Sequence, residues 1–297
     1  MNAGSPQMAA QVSAARLREQ IAETGYFADE ALASVAWLAG HLDRPILLEG
    51  EAGVGKTAFA AALSRVLQRP LIRLQCFEGL DFSDAAYEWN VARQLLSIRL
   101  RPEMQEQSLY TQDYLLEKPL LAAITRPEGA VLLIDEVDRA DEAFEAFLLE
   151  VLSEYQMSIP ELGTIRAQVI PRVILTSNGT RGLSDALRRR CLFHVVEYPD
   201  PFRERSILQS SLPLADIRLV EAVVAVVQGL RKEDLVKRPG IAESLDWLRA
   251  LHQCGHRELP DDFEQIKQTL GCLVKTREDQ FAVGPELIRK LQDRYGS

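Results

Sequence analysis

A loop of eight residues constrains this chain more than any other feature of its sequence. Residues Gly50 to Thr57 read GEAGVGKT and fit the phosphate-binding pattern G-x-x-x-x-G-K-[ST]. The apolar run 45–49 before the loop predicts a strand, and the alanine-rich run 58–63 after it predicts a helix. Strand, loop and helix in this order are the context in which the pattern binds phosphate, so we expect an α/β nucleotide-binding fold.

The residue types in the loop suit a nucleoside triphosphate. Glycines allow successive backbone N–H groups to point into one concavity, and the helix N-terminus behind them adds donors and a positive dipole end. Lys56 is expected to reach the β- and γ-phosphates, and the Thr57 hydroxyl is expected to hold Mg²⁺. The predicted nucleotide-binding residues are Gly50, Glu51, Ala52, Gly53, Val54, Gly55, Lys56, Thr57 and Ala58.

Two acids end a second apolar run downstream. Residues 130–136 read AVLLIDE, which predicts a buried central strand that delivers Asp135 and Glu136 to its carboxyl edge. Asp135 is expected to bind nucleotide and to complete the Mg²⁺ shell through water, together with Thr57. Glu136 is placed to orient and deprotonate a water for attack on the γ-phosphate. Such a pair is often only a helix N-cap, but downstream of a phosphate loop it predicts hydrolysis.

The remaining pattern predicts a layered domain followed by helices. Residues 1–200 are expected to form an αβα domain around a five-stranded parallel sheet, and residues 201–297 a small helical lid. Helices are expected at 8–24, at 28–42 (capped by Asp29 and closed by Gly40) and at 141–155. A β-hairpin is expected at about 157–166, and further strands at 71–76, 173–177 and 192–196. Residues 77–118 resemble an insertion without an obvious strand.

Asn178 follows the predicted strand 173–177 directly. Beside Glu136, its neutral amide would hold the attacking water or contact the γ-phosphate without competing for the proton. Taken alone, an asparagine after a strand is more often a turn former. The order of loop, acids and asparagine favours the catalytic interpretation.

Three consecutive arginines, Arg188 to Arg190, precede the last predicted strand. One interpretation is a solvated helix end, where positive charge is favourable. The other is an arginine finger that enters a neighbouring subunit's site and stabilises charge on the transferring phosphoryl group. Arg190 is the first candidate for that role and Arg189 the second. A finger acting in another subunit requires an oligomeric ring.

Composition narrows the class of protein further. The net charge of −9 over 297 residues argues against a protein that tracks along nucleic acid. Four cysteines without a C-x-x-C pair fit a reducing compartment, and neither a secretory leader nor a spanning segment is visible. We therefore expect a cytoplasmic protein that reaches a membrane, if at all, through a partner.

Together these motifs resemble the AAA+ ATPases, and within them the MoxR branch. The resemblance covers about residues 20–250 and is made by GEAGVGKT, VLLIDE, ILTSNG and DALRRRC. The hairpin and the insertion after Cys76 fall where MoxR proteins carry theirs. More narrowly, TSNGTRGLSDALRRRC, YPDP and RPGIAESLDWLRAL resemble the CoxD-type members, which are associated with maturation of the molybdenum–copper carbon monoxide dehydrogenase.

This resemblance implies a hexamer that hydrolyses ATP with Mg²⁺ at subunit interfaces and remodels a client protein. It further implies a partner with a von Willebrand factor A domain, and carbon monoxide dehydrogenase as the client metalloenzyme. Neither nucleic-acid binding nor direct membrane insertion is expected. The chain departs from the AAA+ pattern where a second sensor arginine usually begins a lid helix, because Ala242 falls at that position. Either Arg238 substitutes for it or nucleotide sensing from the lid is weaker.

Three other functions share some of these features. A clamp-loader or helicase-like motor shares the arginine before cysteine, but it predicts a basic surface and salt-sensitive DNA binding. A small-molecule kinase needs a base for the substrate hydroxyl and a lid over the acceptor. A nucleotide-gated scaffold predicts tight ATP binding with little turnover, and assembly that survives Glu136→Gln.

Overall fold

A computed structural model describes residues 13–100 and 106–295 of the chain. Contacts divide the chain into two compact units. The first contains residues 28–50 and 56–195 together with the chain up to residue 24, and the second contains residues 25–27, 51–55 and 196–297. The chain passes from the first unit to the second between Val195 and Val196. The predicted domain boundary near residue 200 stays a prediction.

The described residues of the first unit form eight α-helices, three short 3-10 helices and nine strands. Its helices are α1 (Ala14–Glu23), α2 (Glu30–Leu42), α3 (Lys56–Leu67), α4 (Phe82–Ala85), α5 (Val91–Leu100), α6 (Pro119–Thr125), α7 (Glu142–Glu154) and α8 (Asp185–Arg190). Its strands are β1 (Ile46–Glu49), β2 (Leu71–Gln75), β3 (Tyr87–Trp89), β4 (Leu115–Glu117), β5 (Val131–Asp135), β6 (Gln156–Ile159), β7 (Gly163–Arg166), β8 (Arg172–Ser177) and β9 (Leu192–Val195). Residues 8–12 of the expected first helix lie outside the described residues.

A five-stranded parallel sheet forms the centre of this unit, as predicted, in the order β2-β5-β8-β1-β9. Strand β5 is buried along its whole length, which explains its uninterrupted apolar sequence. All five strands run in the same direction, so their carboxyl ends meet at one edge. The loop after β1, the acids after β5 and the asparagine after β8 all begin at that edge.

Helix α2 is capped by Asp29 and ends at Leu42, both as predicted, but Gly40 does not close it. The Asp29 side chain caps it by accepting a hydrogen bond from the Leu32 N–H at 2.7 Å. The prediction that Gly40 closes the helix was wrong, because α2 continues to Leu42 and Asp43 takes the left-handed conformation with φ 48°. Asp43 tolerates that conformation better than most residues, and its carboxylate is paired at 2.7 Å with Arg172.

The segment 77–118 contains two strands that the sequence did not reveal. Strands β3 and β4 pair antiparallel, with Tyr87 opposite Glu117, and each is only three residues long. Runs so short show no alternation that could distinguish a strand from a loop. Helix α5 of the same segment leaves several apolar side chains exposed, namely Val91, Leu95, Leu96, Ile98 and Leu100.

The second unit is helical after residue 200. Its helices are α9 (Pro201–Ser211), α10 (Ile217–Leu230), α11 (Ile241–Gln253), α12 (Phe263–Leu270), α13 (Arg277–Ala282) and α14 (Pro285–Tyr295). Apolar faces of these helices meet in one core that includes the fully buried Trp247. Over the described part of the chain, no helix is both long enough and apolar enough to cross a membrane.

A buried ion pair lies inside this helical core. The Glu204 carboxylate accepts hydrogen bonds from the Arg231 guanidinium at 2.7 and 2.8 Å. Gln228 and Ser244 donate to the same carboxylate, at 2.7 and 2.9 Å. Arg231 also donates to the Pro239 carbonyl at 2.8 Å, so the pair ties the segment before α11 to α9 and α10. Buried charges are tolerated only when they are satisfied in this way.

Glu204→Ala is expected to lower the free energy of unfolding by about 3–5 kcal/mol, because it leaves the Arg231 charge buried without its partner. The double variant Glu204→Leu, Arg231→Met removes both charges and is expected to recover most of that loss. Urea unfolding followed by circular dichroism measures both, with exposed Asp234→Ala as the control. Equal stability of Glu204→Ala and the parent would contradict this account of the core.

Candidate nucleotide-binding site

The phosphate loop is fixed to the sheet edge at both of its ends. The Gly50 N–H donates to the Ser177 carbonyl at 3.2 Å, which continues the pairing of β1 with β8 by one residue. Lys56 begins α3 with its side chain buried, and its ammonium donates to the Gly50 carbonyl at 2.6 Å. The same ammonium donates to Asn178 Oδ1 at 2.9 Å. The structure thus joins the predicted phosphate-binding lysine to the predicted catalytic asparagine.

The middle of the loop, residues 51–55, groups with the second unit. Gly53 and Gly55 have φ of 81° and 99°, which residues with a Cβ rarely adopt. The Gly53 carbonyl accepts a hydrogen bond from the Ile241 N–H at 2.9 Å. A Cβ on Gly53 would lie 3.0 Å from the Cα of Gly240, so both its conformation and its surroundings require glycine.

Glu51 is held by two residues of the second unit. The Tyr198 hydroxyl donates to Glu51 Oε2 at 3.0 Å, and Arg238 Nη1 lies 3.4 Å from Oε1. Burial, and then the Glu51 carboxylate, raise the pKa of Tyr198 to about 12. Arg238 therefore pairs with the loop's acid, while Ala242 lies in the first turn of α11 without a polar side chain. From the sequence, either Arg238 substitutes for the second sensor or nucleotide sensing from the lid is weaker, and both stay predictions.

Asp135 is buried at the end of β5 and receives three partners. The Thr57 hydroxyl lies 3.2 Å from both of its carboxylate oxygens. The Thr176 hydroxyl donates to Oδ1 and accepts from the Glu136 N–H at 2.9 Å. Arg73 donates to Oδ2 from Nε at 3.1 Å and from Nη2 at 2.6 Å. The two predicted magnesium-binding residues are thus in direct contact.

Glu136 adopts the left-handed conformation with φ 55°, which is uncommon for a residue with a Cβ. The hydrogen bond from its N–H to Thr176 holds this conformation. Its side chain is 33% exposed, and Oε2 accepts from Gln75 Nε2 at 3.1 Å and from Arg139 Nη1 at 3.2 Å. The Glu136 carboxylate is therefore held at one oxygen and remains accessible to water. Strained conformations of this kind cluster at functional sites.

Asp138 anchors the backbone of Asn178. Its buried carboxylate accepts the Asn178 N–H at 3.2 Å and the Thr180 N–H at 3.0 Å. The Thr180 hydroxyl donates to the same carboxylate at 2.6 Å. Burial acts to raise the pKa of Asp138, but the hydrogen bonds from Thr180 and Asn178 outweigh it and lower the pKa. Asp138 therefore holds the backbone of Asn178, while Lys56 contacts the Asn178 side chain.

The three arginines have different surroundings. Arg188 pairs with Glu49 at 3.0 Å, and Arg190 donates a hydrogen bond to the Ser153 hydroxyl at the end of α7. The side chain of Arg189 is exposed. Arg44 donates to the carbonyls of both Arg189 and Arg190, the latter from Nε at 3.0 Å.

Arg189 and Arg190 lie at the sheet edge opposite Asp135. They precede β9, whose first residue, Leu192, pairs in parallel with Ile46, the first residue of β1. Four residues of strand separate the two edges by about 13 Å. The structure does not bring these arginines together with the acids of the same chain.

The donor set fits a nucleotide with Mg²⁺. Hard oxygen ligands are what Mg²⁺ prefers, and the Thr57 hydroxyl and Asp135 carboxylate supply them side by side. Lys56 and the loop N–H groups would hold phosphates, where the metal when bound neutralises charge on the phosphate oxygens. Over the described residues, no group of three histidine, cysteine or acidic side chains forms any other metal site.

Asp138, Thr176, Arg73 and Gln75 were not identified from the sequence. Each acts through a neighbour across the sheet edge rather than through a contiguous motif. Their polar character could have marked three of them as candidates, because Arg73 and Gln75 interrupt an otherwise apolar strand and Thr176 lies near the end of β8.

Asp138→Asn is expected to lower the free energy of unfolding by about 1–3 kcal/mol, because an amide NH₂ would face N–H donors. The lowered pKa of Asp138 means that its contribution is present above the unfolded value near 4 and is lost as pH falls through the folded value. Urea unfolding between pH 3 and 7 should show a weaker acid-side decline in the variant. Exposed Asp261→Asn is the control, and an unchanged pH profile in Asp138→Asn would contradict the assignment.

Comparisons with known proteins agree with this geometry. Residues 45–191 match the family model of the AAA domain, dynein-related subfamily. The gas vesicle ATPase GvpN2 of Halobacterium salinarum is 28% identical over 225 residues, which are 71% of this chain and 64% of that protein. An uncharacterised protein of Staphylococcus epidermidis is 28% identical over 71% of this chain and 76% of its own length.

Among solved structures, a RuvB variant of Thermotoga maritima superposes with a TM-score of 0.45 and 16% identity, over 95% of this chain and 70% of its own. The family match spans β1 through α8, and it includes the phosphate loop, both acids, Asn178 and the arginines. Over residues 45–191 this chain is therefore similar to the AAA domain, and one of the proteins it resembles is named as an ATPase.

Proposed function

We propose that this protein is a MoxR-type AAA+ ATPase that hydrolyses ATP to remodel a client protein. The observation that carries the proposal is the contact between the Thr57 hydroxyl and the buried Asp135 carboxylate, with Glu136 directly following. Oxygen ligands for Mg²⁺ and a candidate base are thus adjacent in the chain and at the same sheet edge. A protein that only bound nucleotide would need the oxygen ligands for Mg²⁺ but not the candidate base.

The chain's own residues divide the chemistry among them. Lys56 carries the positive charge that meets the β- and γ-phosphates, and the loop N–H groups hold their oxygens. Glu136 accepts the proton of the attacking water through its exposed carboxylate. Gln75 and Arg139 hold one oxygen of that carboxylate and so restrict its orientation. Asn178, fixed by Asp138, positions the water or the γ-phosphate.

Arg190, with Arg189 as the second candidate, supplies the finger for a neighbouring subunit. Support comes from their position before β9, at the sheet edge opposite the acids of their own chain. A planar, permanently charged guanidinium suits the transition-state charge. The proposal therefore includes a homo-oligomeric ring, with six subunits by its resemblance to MoxR proteins.

The client is a metalloenzyme. The resemblance to CoxD-type proteins suggests that this metalloenzyme is the molybdenum–copper carbon monoxide dehydrogenase. A partner with a von Willebrand factor A domain links ring and client in the cytoplasm. The exposed apolar side chains of α5, with Leu100 at 73% exposure, support a protein-binding role for the 77–118 segment. The net charge of −9 favours a protein client over DNA, and salt-sensitive DNA binding would support the helicase-like alternative instead.

Glu136→Gln is expected to bind ATP but to hydrolyse it about 10²–10⁴-fold more slowly, because the amide cannot accept the proton. Single-turnover hydrolysis with excess enzyme measures the chemical step. The control is Glu142→Gln, an exposed acid in the first turn of α7, which should keep the parent rate. Turnover of Glu136→Gln near the parent rate would rule out Glu136 as the base. A parent that assembles on ATP without turnover would favour the scaffold alternative.

Arg190→Ala is expected to lower the hydrolysis rate about 10³-fold while leaving ATP binding intact. Lys56→Ala should lack nucleotide binding yet keep its finger. Mixing the two inactive variants should restore hydrolysis, because Lys56→Ala subunits supply Arg190 to intact neighbouring sites. Light scattering with and without ATP confirms that mixed oligomers form. Absence of restored activity in such oligomers would leave Arg190 as a charged helix end, and Arg189→Ala in the same scheme tests the second candidate.

A further inference from the structure

Arg73 is a cation in contact with the carboxylate that would serve Mg²⁺. It lies on β2, opposite Leu133 of the neighbouring strand β5. Its Nε and Nη2 both donate to Asp135 Oδ2, at 3.1 and 2.6 Å. Two donors on one oxygen place the guanidinium charge directly against a carboxylate that is otherwise buried.

This pairing occupies the carboxylate oxygen of Asp135 that a hydrated Mg²⁺ would need as a hydrogen-bond acceptor. Oδ1 of Asp135 already accepts from Thr176, and the Thr57 hydroxyl lies 3.2 Å from each oxygen. Among the described side chains, Oδ2 has Thr57 and Arg73 as its partners, whereas Oδ1 has Thr57 and the buried Thr176. Displacement of Arg73 would therefore leave Oδ2 as the oxygen that can accept a metal-bound water. A divalent cation beside Thr57 would also repel the guanidinium, since both charges are positive.

Arg73 is free to leave Asp135 in a way that Thr176 is not. Its side chain is 53% exposed, whereas Thr176 is fully buried. Nη2 of Arg73 also donates to Gln75 Oε1 at 2.5 Å, so a hydrogen-bond partner remains when the carboxylate is released. Solvent and Gln75 together can stabilise the displaced guanidinium.

We propose that Arg73 competes with Mg²⁺ for Asp135 and thereby sets the Mg²⁺ concentration at which the site loads nucleotide with its metal. The inference rests on the proposed function. In the metal-free protein, Arg73 neutralises Asp135 and keeps the carboxylate in position. Metal binding displaces Arg73, and the energetic cost of that displacement weakens the coupling between Mg²⁺ and ATP.

The test uses Arg73→Gln, which keeps a polar side chain of similar length but removes the charge. Binding of a fluorescent ATP analogue is titrated at fixed nucleotide while Mg²⁺ is varied, and again in EDTA. Mn²⁺ binding with a non-hydrolysable ATP analogue, followed by the electron paramagnetic resonance signal of free Mn²⁺, gives a readout that does not depend on turnover. Arg73→Lys retains the charge, and Arg65→Ala removes an exposed arginine near the far end of α3.

In Arg73→Gln, the half-saturating Mg²⁺ concentration is expected to fall about 10-fold, while affinity for the analogue in EDTA changes little. Arg73→Lys and Arg65→Ala are expected to stay close to the parent. An unchanged or higher half-saturating Mg²⁺ concentration in Arg73→Gln would overturn the inference. If Arg73 had only a general structural role, the substitution would alter the affinity for the analogue both in EDTA and in Mg²⁺. That result would also overturn the inference. If the parent bound no nucleotide at any Mg²⁺ concentration, the proposed function would fail first.

Discussion

The buried carboxylate of Asp135 is the group on which the arrangement of this site depends. A carboxylate taken out of water is costly unless it is paired and hydrogen-bonded, so its partners must be held in place. Those partners come from α3, β8 and β2. One carboxylate at the end of β5 therefore contacts side chains from a helix and from the two strands beside it.

Thr176 extends this constraint to the neighbouring acid. Its hydroxyl contacts Asp135 with its proton and Glu136 with its lone pair, so the two acids are positioned by a single side chain. In the same way, the Asp138 carboxylate accepts the Asn178 N–H and positions Asn178, whose side chain contacts Lys56. The sheet edge is thus a connected polar network in which each candidate catalytic group has a buried or backbone anchor.

The sequence predicted correctly where polar residues directly follow an apolar strand. The phosphate loop, the Asp135–Glu136 pair and Asn178 were located because each directly follows a recognisable apolar strand. The parallel five-stranded sheet followed from the same strands. Their catalytic roles stay predictions.

Residues that act across strands were not predictable in the same way. Arg73 and Gln75 become partners of the acids only because β2 lies beside β5, and strand order is not visible in a single sequence. The residue that closes α2 was misjudged because glycine is a common helix stop signal, whereas the residue after α2, Asp43, is paired with the distant Arg172. Strands β3 and β4 were missed because three residues carry no usable periodicity.

We propose that Lys56 and Thr57 at the start of α3 and the acids at the end of β5 form one ATP–Mg²⁺ site. Calorimetric titration of ATP into the parent protein and into Lys56→Ala, in the presence of Mg²⁺, tests it most directly. The account predicts binding to the parent, no detectable binding to Lys56→Ala, and parent-like binding to the exposed-lysine control Lys267→Ala. Equal affinity of Lys56→Ala and the parent for ATP would contradict it.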